Sequence, residues 1–415
     1  MRIAIVHDSM SQYGGAEKVL EQMHAAFPDA PVYLALWNPD RLPDHFRGWD
    51  IRASWLDRMP GARRFHRAMF PFYPSAMHSL DLSRYDVVLS SSFNFAHNVV
   101  TGPDTAHVCY CHSPGRFLWD FSAYAERERL GGLKRAAVAA FLPSLRAHDT
   151  AAAQMVDCWI GTSRIVQRRI SKYYRRESVI LPPPVNVADF HPRPGPGEHF
   201  LLLMRLVAWK RGDIVIEACN RLGLPLVVAG DGRDEARLRA MAGPTVRFAG
   251  RVDGPAKADL YARSTALILP SVEDFGITPL EAMASGRPVI ALGEGGALDT
   301  VRPGVTGEFF GEQTTDSLVE VLRSFDASRY DAEVIRAHAE AFDAAAFRAR
   351  LTEIVLEAAA QRVVPRSPAQ IAAARVASPS SEATSQAGWS QDGANANDRT
   401  GAHPLSRAIV ARPST

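Results

Sequence analysis

The chain has 415 residues, 47% of them hydrophobic, which is too long for one ordinary domain and apolar enough to fill two cores. Its 47 Lys+Arg nearly cancel its 45 Asp+Glu, so the bulk charge gives no reason to expect a nucleic-acid partner. Four cysteines are too few for a disulfide framework, the opening Met1-Arg2-Ile3-Ala4-Ile5-Val6-His7-Asp8 turns polar too soon for a secretory signal, and no apolar run approaches the roughly 18 residues of a membrane span.

Residues 2–6 read as the first strand. The helix that follows from Ala16 repeats Ala16, Val19, Leu20, Met23 and Phe27 along one face. Further strands are expected at residues 32–36, 85–90, 106–111, 158–162 and 178–181, and their nearly continuous apolar runs imply parallel strands buried on both faces. Between the second and third, Pro60-Gly61-Ala62-Arg63-Arg64-Phe65-His66-Arg67-Ala68-Met69-Phe70-Pro71-Phe72-Tyr73 interleaves basic and aromatic residues. As a helix it would set Phe65 and Met69 on an apolar side and spread Arg63, Arg64 and Arg67 over the remainder, a pattern suited to an anionic membrane face. The competing reading is a helix whose aromatics pack inward, and Pro71 with Pro74 would end either one quickly. Cys109-Tyr110-Cys111 places two thiols on one strand face, but a structural metal site wants more ligands at better spacing, so reduced, buried cysteines of a cytosolic protein are expected.

Pro182-Pro183-Pro184-Val185-Asn186, and then His191-Pro192-Arg193-Pro194-Gly195-Pro196-Gly197, suit neither a helix nor a sheet interior and read as a linker. Alternation restarts behind it, with strands expected at residues 200–204, 225–229, 246–248, 266–269 and 289–291. Phe347, Leu351, Ile354, Val355 and Ala358 form a last amphipathic stripe. The expected organisation is therefore one α/β domain over residues 1–184, a second over 185–345, a C-terminal helix at 346–363, and a tail at 364–415 too poor in large apolar residues to order itself.

Four strings stand where open α/β sheets bind ligands, at the strand-to-helix loops. Glu273-Asp274-Phe275-Gly276-Ile277-Thr278-Pro279-Leu280-Glu281 follows the strand at 266–269, with one carboxylate on the loop and another in the first helical turn. Phe275, Gly276 and Ile277 between them are placed to present backbone N–H groups to a ligand. Thr278-Pro279-Leu280-Glu281 also has the form of a capping box, which would make Glu281 a helix cap and leave Glu273 unexplained. Arg205-Leu206-Val207-Ala208-Trp209-Lys210-Arg211 sets cations at the end of the strand at 200–204, either to grip a phosphate or as a solvated basic turn. Tyr13-Gly14-Gly15-Ala16-Glu17 lets backbone approach an anion or a sugar hydroxyl, or simply makes a turn; it lacks the G-x-G-x-x-G of dinucleotide binders. Gly230-Asp231-Gly232-Arg233-Asp234-Glu235 comes closer to that fingerprint but ends on Glu. Cys111-His112-Ser113-Pro114-Gly115-Arg116-Phe117-Leu118-Trp119-Asp120 closes a buried strand on a histidine, a structural residue or one facing the crevice.

Together these strings resemble the retaining glycosyltransferases of family four, whose GT-B fold is two facing Rossmann-like domains with parallel sheets. The likeness covers about residues 1–360 and is clearest over 205–307. Glu273 and Glu281 match the two acids of that family's E-x7-E motif, Arg205 and Lys210 its diphosphate-binding pair, and Gly15 its N-terminal glycine loop. Met204 departs from the pattern, which usually has a small residue before the Arg. Tyr110-Cys111-His112-Ser113-Pro114 with Arg116 looks like the branch of bacterial mannosyltransferases of O-antigen and exopolysaccharide assembly, and Pro183-Pro184-Val185 with Phe190 fits as well.

The resemblance implies hexose transfer from a nucleotide-sugar, GDP-mannose first and a UDP-sugar second, to a glycan or polyprenyl-linked acceptor. Arg205, Lys210 and helix N-termini would meet charge growing on the leaving phosphate, with neither a metal nor a separate cofactor. Glu281 would hold the ribose, Glu273 the transferred sugar, Gly14, Gly15, Phe275, Gly276 and Ile277 would line the donor site, His112 would reach the sugar from the other domain, and Arg116 would lie on the acceptor side. A cytoplasmic protein is expected, with peripheral contact to the anionic inner membrane face as the expectation that residues 60–73 add if their membrane reading holds. An epimerase would want further crevice acids, and a non-catalytic scaffold would typically have lost Glu273 or Lys210.

Overall fold

The computed structural model describes residues 1–65, 69–127 and 131–363; the tail at 364–415 lies outside them. The first seven strands are β1 (Ile3–His7), β2 (Val32–Leu34), β3 (Ile51–Ala53), β4 (Val87–Ser92), β5 (Ala106–Cys111), β6 (Cys158–Gly161) and β7 (Val179–Ile180). They form one parallel sheet in the order β3-β2-β1-β4-β5-β6-β7. The next six are β8 (His199–Leu203), β9 (Leu226–Ala229), β10 (Val246–Gly250), β11 (Ser264–Leu269), β12 (Val289–Leu292) and β13 (Gly307–Phe310). They form a second parallel sheet in the order β10-β9-β8-β11-β12-β13.

Both sheets reverse strand order beside their own first strand, between β1 and β4 and between β8 and β11. That reversal opens a crevice at the carboxyl ends of the strands, because the flanking connections leave toward opposite edges. The polar strings of the sequence all stand at these ends. Central strands such as β4 and β5 are buried at every position, whereas β10 at an edge keeps Arg247 toward solvent.

The stripe at Phe347, Leu351, Ile354, Val355 and Ala358 belongs to the helix Ala344–Val363, which crosses back to the first sheet. Those five side chains share a core with Ile5, Leu20, Met23, Val108 and Tyr110. The linker supports this return, since Val185 pairs with Asp343 and its N–H donates to Phe342 O at 3.0 Å. Cys109 and Cys111 do share one packed cluster with Trp159, and burial pushes both thiols up, so they are protonated fillers of the core.

Met204 does not crowd the end of β8. Its side chain is buried in the second core and reaches Gly212, where an added Cβ would lie 2.6 Å from Met204 Cε. The close approach is made by its backbone instead. Gly230 has φ +125°, and a Cβ there would stand 1.9 Å from Met204 O, so the Gly-Asp-Gly turn after β9 can lie on this loop only without a side chain.

The segment at 60–73 is not one helix. Its described parts are a turned stretch up to Phe65 and a 3-10 turn at Phe70–Phe72, and His66, Arg67 and Ala68 lie outside the described residues. Pro74 sits in the first turn of the helix Tyr73–His78, where its missing N–H costs nothing, so it starts a helix rather than ending one. Phe70 packs edge-on against Phe117 at 4.2 Å and Tyr73 is buried, while Phe65 and Phe72 are exposed. Arg63 pairs with Asp57 at 2.7 Å, and Arg64 lies over the Phe65 ring.

Because Leu351 is fully buried in the first core, Leu351→Ala should cost about 2–5 kcal/mol in urea denaturation. A loss below half a kilocalorie would place this helix outside the cooperative core.

Candidate active site

The loop after β11 carries Glu273, and the loop after β8 ends in the turn Ala208–Lys210. Since β8 and β11 are neighbours, Lys210 reaches across their switch point, and its Nζ lies 2.9 Å from Glu273 Oε1. Ser271 Oγ donates to the same oxygen at 2.8 Å. Both charged ends keep access to the crevice, at 18% and 17% exposure, so an incoming ligand can meet them. Arg205 is exposed at the same mouth and forms no ion pair among the described residues. Arg211 is used differently: its Nε lies 3.1 Å from Asp213 Oδ1 and its Nη1 donates to Gln313 O, which ties the turn to its own sheet.

A second loop, after β12, fixes the backbone of Glu273. Gly296 N–H donates to Glu273 O at 2.8 Å, and a Cβ on Gly296 would stand 2.2 Å from Phe275 Cα. Gly293-Glu294-Gly295-Gly296 drew no attention in the sequence because its function is contact with another loop. Phe275 is buried in the second core, Gly276 takes φ +89°, and no acceptor among the described residues takes the N–H of Gly276 or Ile277.

Glu281 is not a capping residue. The helix Thr278–Ala284 has Ile277 at its N-cap with no side-chain cap bond, which places Glu281 beyond the capping-box position. Its carboxylate, 4% exposed, takes Lys257 Nζ at 2.7 Å and Lys18 Nζ at 3.2 Å on Oε1, and the Tyr261 hydroxyl at 2.9 Å on Oε2. Burial would raise this carboxyl, but the two lysines outweigh it and hold it below the ordinary value. Lys18 comes from the helix Gly15–Ala26 of the N-terminal half. Beside Glu281 a cavity of about 1130 Å³ is lined by Tyr13, Lys18, Asp253, Lys257 and Ile277 among others.

Asp274 is one of the points where the N-terminal half meets the C-terminal half. Arg116 donates with Nε to Oδ2 at 3.0 Å and lies 2.5 Å from Oδ1 with Nη2, and Arg169 bonds the same carboxylate. Ser163 Oγ donates to Asp274 O at 2.5 Å, and Arg164 N–H donates to Asp299 Oδ2 at 3.0 Å alongside an ion pair between the two side chains. Arg116, expected on the acceptor side, thus commits its guanidinium to the opposite half. Burial would raise the Asp274 carboxyl, yet Arg116 and Arg169 hold it below its ordinary value.

Gly15 also faces across the cleft, where an added Cβ would lie 3.4 Å from Ile277 Cδ1. The N–H of Gly14 is already taken, donating to Glu17 Oε2 at 2.8 Å. His112 follows β5 with its ring half-buried, its Nε2 2.9 Å from Ser91 Oγ. Burial, aided by His7, pushes its pKa down to about 3, so the ring is neutral near pH 7. Among the described residues, no group of three His, Cys, Asp or Glu side chains is placed to hold a metal ion.

Two facing parallel α/β sheets with their crevices turned together define the GT-B fold. Solved structures share it: Anabaena HepE in complex with UDP is 15% identical, with a TM-score of 0.64 over 86% of this chain and 100% of that one. Sucrose-phosphate synthase from Thermosynechococcus elongatus is 18% identical, with a TM-score of 0.65 over 86% and 99%. Residues 188–341, which carry Arg205, Lys210, Glu273 and Glu281, match the model of the family described as Glycosyl transferases group 1. A stretch of 104 residues, 25% of this chain, is 40% identical to the GDP-mannose-dependent alpha-mannosyltransferase of Mycolicibacterium smegmatis and spans 28% of it. Another of 145 residues, 32% of this chain, is 34% identical to the glycogen synthase of Mycobacterium tuberculosis and spans 34% of it. The chain thus spans about a third or less of the curated relatives it matches.

The Asp274 clamp gives a sign-definite expectation. A carboxyl held below its ordinary value stabilises the closed arrangement fully above that value, and the contribution fades as pH falls through it. Asp274→Asn should therefore enlarge the radius of gyration in small-angle scattering at pH 7, and the native chain should expand only below about pH 4. An unchanged radius in the variant would show that the clamp does not hold the cleft.

Proposed function

We propose that this chain is a retaining hexosyltransferase that takes its sugar from a nucleotide-sugar, best GDP-mannose, and builds cell-surface polysaccharide. The Lys210–Glu273 pair across the β8/β11 switch point carries the reading, because it sets a cation for phosphate beside an acid for sugar hydroxyls. The bond from the anomeric carbon to the β-phosphate oxygen breaks, and an acceptor hydroxyl bonds that carbon on the same face. The leaving diphosphate takes the hydroxyl proton, so no side chain is needed as general base. Arg205 meets the growing phosphate charge directly, and Lys210 does so from its place on Glu273. The start of the helix Gly212–Leu222 adds backbone N–H groups. Fixed charges of this kind serve without a divalent metal, and activity should survive EDTA.

Glu281 accepts the ribose hydroxyls, with the nucleoside in the adjoining cavity. The lysines already on Glu281 must give way, and Lys18 leaves it when the halves part. Guanine is favoured over uracil by two relatives whose names specify GDP-mannose, the one from Mycolicibacterium smegmatis and a phosphatidylinositol monomannoside mannosyltransferase of Corynebacterium glutamicum, 35% identical over 134 residues.

Thermal-shift screening of nucleotide-sugars should single out GDP-mannose, and the donor found should be hydrolysed slowly without acceptor. Glu273→Ala, Lys210→Ala and Arg205→Ala should each lower turnover by about a hundredfold, as loss of a fixed charge does. Their melting temperatures should stay near that of the parent, least shifted for exposed Arg205. Parental turnover in any of them removes that residue from the site, and tenfold tighter calorimetric binding of UDP than GDP overturns the guanine assignment.

The acceptor in this reading is a glycan or polyprenyl-linked, which brings the N-terminal half to the anionic inner face of the membrane. Phe65 and Phe72 stand outward there, with Arg64 over Phe65, while no helix among the described residues is long and apolar enough to cross a bilayer. The protein should sediment with anionic vesicles and not with neutral ones, and Phe65→Ser with Phe72→Ser should release it. Equal recovery in the supernatant with both vesicle types would leave no membrane contact.

A further inference from the structure

We infer that Ser91 and His7 fix the tautomer of His112, so that its Nδ1 presents a lone pair, not a proton, to the transferred sugar. The inference deepens the reading of His112 as a sugar contact and rests on it. His7 ends β1, Ser91 lies opposite it in register on β4, and His112 follows β5, so three neighbouring strands bring the side chains into one line. Ser91 Oγ lies 3.0 Å from His7 Nδ1 and 2.9 Å from His112 Nε2, and both His7 and Ser91 are fully buried. A serine hydroxyl has one proton, so it donates to one imidazole and accepts from the other.

The far end of the line decides which. His7 Nε2 has no hydrogen-bond partner and faces Glu17 Oε1 at 3.9 Å. A lone pair turned toward a carboxylate is repelled, whereas an N–H is attracted, so the His7 proton sits on Nε2. Glu17 is itself held by the Gly14 N–H on its other oxygen. His7 Nδ1 is then an acceptor and takes the Ser91 proton. The serine oxygen in turn accepts from His112 Nε2–H, and the second ring nitrogen of His112 is left as an acceptor. That Nδ1 is not among the buried, unpartnered side-chain atoms, and of the two rings only that of His112 is partly exposed. The sugar hydroxyl that meets His112 must therefore donate.

Ser91 is a positioning residue in this scheme, because it acts only through His112. The test is ¹⁵N NMR of the ring nitrogens in histidine-labelled protein, with the His112 signals assigned from a His112→Gln variant. The native chain should show the Nε2–H tautomer at His112. Ser91→Ala should shift that ring toward Nδ1–H and lower kcat/KM for donor hydrolysis about tenfold, the worth of one hydrogen bond. GDP affinity should be unchanged, and Ser91→Thr should restore both tautomer and rate. An Nδ1–H tautomer in the native chain, or an unaltered ring in a folded Ser91→Ala, overturns the inference. If the tautomers behave as stated but His112→Gln hydrolyses donor at the parental rate, the sugar contact is what fails.

Discussion

A carboxylate poorly reached by water needs cations nearby to keep its charge, and partly buried Asp274 finds both of its own on the other half of the molecule. Its neighbour in the chain is Glu273, the acid paired with Lys210. The position of the proposed sugar-binding loop is therefore tied to the approach of Arg116 and Arg169, so assembly of the site and closure of the cleft are one event. The backbone joins in, since Glu273 O and Phe275 are pressed by the glycines after β12 and Asp274 O is bonded by Ser163. A loop held from three directions has little freedom to relax when a ligand arrives, which is the preorganisation an electrostatic mechanism requires.

Glu281 shows the same logic from the opposite side. Its acceptor positions are taken by two lysines and a tyrosine, and one of the lysines comes from across the cleft. The closed arrangement is thus satisfied by protein groups alone. In the proposed reading a ribose reaching Glu281 would replace Lys18, whose ammonium would then face an anionic donor. The exchange keeps charge roughly balanced in a poorly solvated place, where an unpaired ion would be costly.

Much of this was legible in the sequence because strand ends and apolar runs write themselves locally. The strands expected at 106–111 and 158–162, and the acids and cations after β8 and β11, follow from short-range patterns. The edge strands β3 and β13 were not legible, since Ile-Arg-Ala and Gly-Glu-Phe-Phe carry too few residues for a period. The contact of Arg116 with Asp274 was not legible for a different reason. Its partner lies 158 positions away, and nothing in a linear string reports a contact that depends on two sheets meeting. Lys18 was passed over likewise, as one more polar residue on an amphipathic helix. Thr278-Pro279-Leu280-Glu281 has the form of a capping box as a string, but the helix takes Ile277 as its N-cap, and Glu281 one position beyond N3 bonds Lys257 and Tyr261 of the preceding helix.

The two halves contribute chemistry of different kinds. The charges of Lys210, Arg205 and Glu273 belong to the C-terminal half, where the proposed diphosphate leaving group would need them. The N-terminal half contributes His112, a neutral ring on a line of neutral or internally paired groups. In the proposed reading a sugar held between them would meet these charges on its phosphate side and the neutral His112 ring on the other. That asymmetry suits bond breaking at the anomeric centre, because positive charge developing on the sugar is not opposed by a cation behind it. The Arg116 guanidinium would be such a cation if it were free. Its engagement by Asp274 balances that charge, so in the proposed reading the contact that joins the two halves would also spare the sugar an opposing cation.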